Sequence, residues 1–524
     1  MKEEILSLIR ERGLLLEKEV YDLFESFDDE KIAKKILDGL GKGLGEKFIT
    51  KSLLNKNVKS VMESVKSLED GNEVEKIVVK LGLSFELTRK KPVEEKTKAA
   101  EGYKIFYADT KPDKKLEVKD FTGHFRARYT QLQGILMQRR ELQQNLISIG
   151  KISSDRASLA IIGIVTEKRV TKNKNLIIKF EDLTGEINAL VKHDSEIFEK
   201  ADELQLDDVV GVRGSGNRDL FFVYDIFFPD AFVSEKIKFD EDINIAFVSD
   251  VHCGSGRHLP RSFENFLEWI SSEDEEAKKV KYIFFNGDNV DGVGIFPNQE
   301  AGLFLKSMEK QYEMLAGYLN RIPKRITIFM CPGQHDATRV AEPQPIISKK
   351  YAPQLYEIEN LVLVTNPAMV KLTEREKEMK FLMYHGAAMN ALVNEVKELR
   401  MGNAYDRPSL IVKHILKRRH LAPMHGVSIS IVYIPNADRD PMVIDEVPDV
   451  IVTGDLHKAD VGSYNGILMV SNSCWQAQTS FEETVGHHPD PCKVPLLNLK
   501  TRNVKILDFR DEGEVDEYGV WKVK

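Results

Sequence analysis

Five apolar runs in the second half of this chain end on the same kinds of residue, and that regularity restricts the fold more than any other feature. INIAFVSD leads to Asp250 and His252, and VKYIFFNGD to Asp288 and Asp291. RITIFMCPGQHD ends in Gln334, His335 and Asp336, KFLMYHG in His385, and PDVIVTGDLH in Asp455 and His457. Each run is short, rich in β-branched and aromatic residues, and bounded by turn formers, which predicts a buried strand. Helical patterns such as SFENFLEWISS alternate with the runs, so the expected class is α/β. In open α/β sheets binding residues gather just past the carboxyl ends of the strands. One Asp-x-His at a strand end is usually a surface turn, and a Gly-Asp pair is a common strand terminator. Five such endings in succession are not independent turns.

The residue types point to metal chemistry. Carboxylates mixed with neutral imidazoles suit Mn²⁺, Fe²⁺ or Zn²⁺ better than Ca²⁺. Two such cations about 3.5–4 Å apart clamp a phosphodiester and stabilise both in-line oxygens. One carboxylate must bridge the pair, and a buried aspartate directly after a strand is the natural candidate.

The 524 residues are too many for one core. Residues 1–75 show helical spacing (Ile5, Leu8 and Ile9; Val20, Leu23 and Phe24; Ile32, Ile36 and Leu37) and are expected to form a small helical domain. Residues 89–119 are charged with little periodicity and are expected to be a flexible linker. Residues 120–236 begin with a helical lead-in carrying Arg126, Arg128, Arg139 and Arg140, then turn to strand patterns. Five short strands with a helical insert after the third (SEIFEKADEL) have the order of an OB barrel. Residues 237–524 form the α/β part.

A net charge of −8 argues against a basic coat protein for nucleic acid but not against a nuclease, because bound cations supply positive charge where phosphate sits. No run of about 18 apolar residues is present for a membrane span. Four cysteines without a CxxC pair argue against a zinc finger or disulfide framework, and a cytoplasmic protein is expected.

The endings Asp250-Val-His252, Gly-Asp288-x-x-Asp291, Gly-Gln334-His335-Asp336, Tyr-His385-Gly and Gly-Asp455-Leu-His457 stand in the order of the calcineurin-like metallophosphoesterase motifs, which they resemble over about residues 240–510. The resemblance implies an αββα sandwich. It also implies that Asp250, His252 and His457 hold one metal, that Asp288 bridges, and that Gln334, His385 and Asp455 hold the second. Asp291 would lie behind the ligands. His335 would protonate or stabilise the leaving oxygen, paired with Asp336 in a dyad that fixes its tautomer. Two positions depart from the family: Gln334 stands where Asn is usual, and Asp455 where the first His of GHxH is usual. Manganese is the expected metal, with iron, zinc or magnesium as substitutes.

An OB barrel directly before such a domain resembles the accessory subunits of replicative DNA polymerases. The segments GHFRARYTQLQGIL, PGQHDATRVAEPQP, KRRHLAP and SNSCWQAQTSFEETVGHHPDPCKVPLLNL look like those of archaeal family-D small subunits. That likeness implies a 3′–5′ exonuclease in a two-subunit polymerase, with a large catalytic subunit, DNA and a sliding clamp as partners. The competing reading is a scaffold whose site has decayed at positions 334 and 455. A protein phosphatase or cyclic-nucleotide phosphodiesterase fits the barrel less well.

Other features have plainer expectations. The basic run Lys413, His414, Lys417, Arg418, Arg419 and His420 is expected as a solvated face or subunit contact. Phe221, Phe222, Tyr224, Phe227 and Phe228 are expected mostly in the barrel core, with alternate rings free to stack on bases. Trp475 is expected to pack.

Overall fold

The structure is a computed structural model that describes residues 102–111, 115–152, 156–425 and 433–514, the backbone of 95–98, and 15–18, 20–21, 34, 37 and 48–50. The chain divides into two units, Met1–Lys90 and Lys91–Lys524. In the first, Leu15–Leu16 pairs in parallel with Phe48–Ile49. Most of the helical pattern expected over 1–75 lies outside the described residues.

In the second unit, strands Arg156–Val170, Leu176–Asp182, Gly185–Val191, Phe221–Phe227 and Val209–Gly216 close a barrel in that order. The short helix Phe198–Asp202 follows the third strand, as the OB order requires. Alternation along the strands explains the core: Phe221, Phe227 and Phe228 are buried, whereas Phe222 and Tyr224 point outward.

The α/β part holds two sheets. In the first, Leu361–Leu363, Thr327–Cys331, Val280–Asn286 and Asn244–Val248 run parallel, and Lys493–Asn498 and Val504–Asp508 complete it antiparallel. The second contains Asp460–Tyr464, Ile467–Ser471, Val450–Thr453, Lys377–Met383 and Ala368–Glu374. Phe247, Phe284, Phe329, Phe381 and Val452 share one apolar cluster between the sheets. Helices Pro260–Ser271 and Met308–Leu319 pack outside the first sheet through Phe263, Phe266 and Leu315, with Trp475 fully buried among them. Met389–Glu395 and Ser409–Arg418 cover the second through Leu392, Ile411 and Ile415. Burial on both faces is why these strands read as continuous apolar runs.

The linker expected over 89–119 is corrected here. Glu95–Lys98 and Tyr103–Tyr107 pair with each other, and Tyr103–Tyr107 pairs antiparallel with Ala368–Glu374, extending the second sheet. Tyr103 and Ile105 are buried while Lys104 between them turns partly outward, a period-two pattern hidden by the charged composition around it.

The lead-in helix Val118–Leu136 is tied to the α/β part through one buried carboxylate. Arg128 Nε donates to Asp440 Oδ2 at 2.8 Å, with His420 Nε2 at 2.8 Å and His124 Nε2 at 3.2 Å from the same oxygen. The basic run is likewise corrected. Arg418 donates to Asp208 and to the Glu203 carbonyl of the barrel, Arg419 to the carbonyls of Ile444 and Asp445, and all three of Arg418, Arg419 and His420 are buried. Arg418 thus joins the barrel to the sandwich, and Arg419 and His420 are held within the sandwich instead of facing solvent. Among the described residues no helix is long and apolar enough to cross a membrane.

Candidate metal centre

The strand endings converge. Asp250, His252 and His457 bring ligand atoms within 4.8 Å of one another, as do Asp250, Asp288 and His385, and as do His252, Asp288 and His335. Asp250 and Asp288 are each shared by two trios. The backbone bends sharply to achieve this. Asp250, His252, Asp288, Asp455 and His457 all have positive φ, between 45° and 65°. Residues other than glycine adopt that region at a cost of about 1–3 kcal/mol each, and such strain collects at functional sites. Gly333 permits the closest approach, since a Cβ there would lie 2.2 Å from Asp288 Oδ1 and 2.7 Å from His385 Nε2.

All four histidines are oriented the same way. His252 Nδ1 lies 3.0 Å from Asp291 Oδ1, and His457 Nδ1 2.8 Å from Glu482 Oε1. His385 Nδ1 lies 2.8 Å from the Asn286 carbonyl, and His335 Nδ1 2.6 Å from the Asp291 carbonyl. Carboxylates and carbonyls only accept, so each Nδ1 carries the proton that it donates and each Nε2 is left facing the centre. His252 Nε2 and His457 Nε2 stand 3.3 Å apart. Two neutral imidazole lone pairs at that distance repel unless a proton or a cation lies between them. His385 Nε2 and Gln334 Oε1 are buried without a hydrogen-bond partner, a condition that coordination relieves. An outer carboxylate or carbonyl that fixes a histidine tautomer is the usual support of a metal ligand. These residues fit a pair of divalent cations.

The electrostatics agree. Burial lowers the affinity of His385 for a proton, but Asp288, Asp250 and Asp455 outweigh it and raise its pKa well above the ordinary value. His457 is raised despite burial by Cys474, Asp250 and Glu482. Burial would raise Asp288, yet His385, His335 and His252 hold it far below the usual carboxylate range. Asp455 is raised by burial, only partly countered by His385. Protons thus carry the positive charge that cations would replace, with proton release.

Each predicted residue has a place. Asp291 is buried behind the histidines, accepting from His252 and from Gln476 Nε2 at 3.1 Å. Gln334 Nε2 donates to Asp455 Oδ1 at 2.8 Å, and Asn390 Nδ2 to Asp455 Oδ2 at 2.9 Å. The expected His335–Asp336 dyad is not formed. Asp336 turns away and accepts from the Gly333 and Asn289 backbone amides, Asn289 Nδ2 and Tyr312 Oη. Two neighbours in sequence on a tight turn point in opposite directions, and the Asp291 carbonyl, not Asp336, sets the His335 tautomer.

Comparison with known proteins extends the picture beyond geometry. Residues 245–461 match the B-subunit family of DNA polymerases alpha and epsilon, and residues 159–220 match the OB-fold nucleic acid binding domain. The chain is 37% identical to the DNA polymerase II small subunit of Pyrococcus furiosus over 75% of its own length and 64% of that protein's. It is 36% identical to the DNA polymerase II small subunit of Methanothermobacter thermautotrophicus and 34% to that of Thermoplasma acidophilum, over 80% and 82% of those proteins. The chain belongs to the DNA polymerase II small-subunit family. It spans slightly under two thirds of the Pyrococcus furiosus member.

Within this small-subunit family member, sequence reasoning overlooked the outer partners. Glu482 supports His457 while its other oxygen, Oε2, accepts from the Thr479 amide and hydroxyl at the start of a helix. The Thr479-x-x-Glu482 capping box was the available signal. Asn390 stands in a stretch whose pattern says nothing about the site, and Asn286 contributes through a backbone carbonyl, which residue type does not report.

Proposed function

We propose that this chain is the nuclease-bearing small subunit of an archaeal two-subunit DNA polymerase, and that its metal centre removes nucleotides from the 3′ end of a DNA strand. The observation that carries the reading is the common orientation of the four histidines, with His252 and His457 presenting Nε2 to each other at 3.3 Å. Family membership and the OB barrel support DNA as the substrate and a large synthetic subunit as the partner. The outward Phe222 and Tyr224 offer the barrel stacking faces for a single strand.

In this reading Asp250, His252 and His457 would hold one cation, His385, Asp455 and the Gln334 amide oxygen would hold the other, and Asp288 would be shared between them. Aspartate oxygens beside imidazoles favour Mn²⁺. When bound, such cations would supply positive charge for the scissile phosphate and lower the pKa of an attacking water. Asp291 keeps His252 and His335 in register, one through its side chain and one through its carbonyl. His335 Nε2 lies 3.9 Å from Asp288 Oδ2 and, in the imidazolium form, passes its proton to the leaving oxygen.

A second reading, a non-catalytic scaffold, draws on the amides of Gln334 and Asn390 that occupy both oxygens of Asp455. One assay separates the two. The purified full chain is given an end-labelled single strand with and without Mn²⁺. Stepwise shortening from the 3′ end only with Mn²⁺ is expected. No shortening from a fully metal-loaded chain would leave the scaffold.

A further inference from the structure

Beside the metal centre a loop holds an aromatic ring in a position that packing does not explain. Phe296 is 48% exposed, yet its loop is firmly tied down. Gln299, itself buried, donates from Nε2 to the Asp291 carbonyl at 2.7 Å and accepts from the Ile295 amide at 2.9 Å. Gln311 brackets Gly292, accepting from its amide at 2.8 Å and donating to its carbonyl at 3.0 Å. At the far end the Phe304 amide donates to the Gly254 carbonyl at 2.9 Å. Gln299 therefore ties the Phe296 loop to Asp291, the residue that also orients His252 and His335. The rings of Phe296 and His335 lie 6.3 Å apart, inclined at 63°.

A cleft of about 360 Å³ opens along this loop, lined by Gly294, Phe296, Asn298 and Glu300 among others. Its lining includes no lysine or arginine and one carboxylate, so it offers no cation to a phosphate. The phosphate's place is the metal centre, one ring away. A flat neutral group covalently attached next to a phosphodiester is a nucleobase.

We propose that Phe296 is a stacking platform for the base of the terminal nucleotide, holding it while the adjoining phosphate occupies the metal centre. The proposal rests on the nuclease reading above for its substrate. Stacking on an aromatic ring tolerates any base, because every base has a π face. A fixed ring also costs little entropy to use, since its loop is already ordered.

The test uses the full chain with Mn²⁺ and two single strands that differ only at the 3′ terminus, one ending in a normal nucleotide and one in an abasic nucleotide. Phe296→Ala should lower kcat/KM on the normal strand by ~5- to 150-fold, the range of one base–aromatic stack, bringing it to the abasic value. It should leave the abasic strand unchanged, and Phe296→Trp should restore the preference. An equal effect on both strands, or none on either, overturns the proposal. Binding of a strand ending in 2-aminopurine reads the stack without turnover. If the wild type cleaves neither strand, the nuclease reading fails by itself. The stack then stands if the 2-aminopurine is quenched by the wild type and not by Phe296→Ala, and falls if both quench it alike.

Discussion

Gln334 Nε2 donates to Asp455 Oδ1 at 2.8 Å, so the two positions at which the sequence departs from the metallophosphoesterase pattern that it resembles are bonded to each other. The longer glutamine side chain reaches an acceptor that a histidine would not offer in the same place. Its amide oxygen is left buried and without a hydrogen-bond partner. The departures therefore act as one unit. Asp455→His alone should weaken Mn²⁺ binding, because both amides lose their acceptor, and Gln334→Asn alone should weaken it through lost reach. The double variant should bind better than the sum of the singles by about 0.5–3 kcal/mol. Titration calorimetry of the four proteins with Mn²⁺ measures this, and additive effects would show two independent positions.

His335 and Asp336 should separate cleanly despite their adjacency. His335→Ala should lower turnover by about 10²–10⁴-fold with metal content unchanged. Asp336→Asn should instead cost stability, because Asp336 accepts four hydrogen bonds and an amide nitrogen would face donors. A buried unsatisfied group costs about 1–3 kcal/mol. Urea unfolding and metal analysis of both variants decide the matter. Metal loss in His335→Ala would make that histidine a ligand.

Glu342 provides a pH dependence. Burial pushes its carboxyl up to about 8, with His385 and Tyr384 only partly opposing. A group whose folded pKa is raised contributes stability that is full below its unfolded value, near 4.5, and lost as pH rises through about 8. In chelator, unfolding free energy should fall by a few kcal/mol, as an order of magnitude, between about pH 5 and about pH 9. Glu342→Gln, which stays neutral, should flatten that fall. Parallel curves for the two proteins would place the proton elsewhere.

The strand Tyr103–Tyr107 sets where the chain can be shortened. Removing residues 1–90 leaves the unit Lys91–Lys524 whole and should leave the melting temperature of that unit unchanged. Removing 1–118 strips Tyr103 and Ile105 from the core and bares the Ala368–Glu374 edge, which should lower Tm and promote aggregation. Scanning calorimetry of the two truncations checks this. Equal melting would mean that the added strand is dispensable.

The convergence of the ligand-type residues was legible because they sit at strand ends, where a local pattern of apolar run and polar stop reports position directly. The barrel was legible for a similar reason, with alternation and turns marking its strands. What failed depended on direction or on distant partners. Asp336 follows His335, and nothing in that adjacency tells that it turns toward Asn289 and Tyr312. Tyr103–Tyr107 looked like linker because its partner strand lies more than 250 residues away. The cations Arg418 and Arg419 read as a surface run because their acceptors, Asp208 and the carbonyl of Ile444, come from other parts of the chain.

The most direct test is the removal of the shared carboxylate. Asp288 lies within reach of both His385 Nε2, at 3.3 Å, and His335 Nε2, at 3.9 Å, and is the carboxylate that the proposed cations would share. The rate of nucleotide release from a 3′-labelled single strand is measured for wild type and Asp288→Ala at saturating Mn²⁺, with bound metal counted in each. Metal-dependent release by the wild type is expected, with none by Asp288→Ala and fewer bound metals in a chain that still folds. Near wild-type release by Asp288→Ala, or no release by a wild type carrying two metals, would contradict a two-metal nuclease.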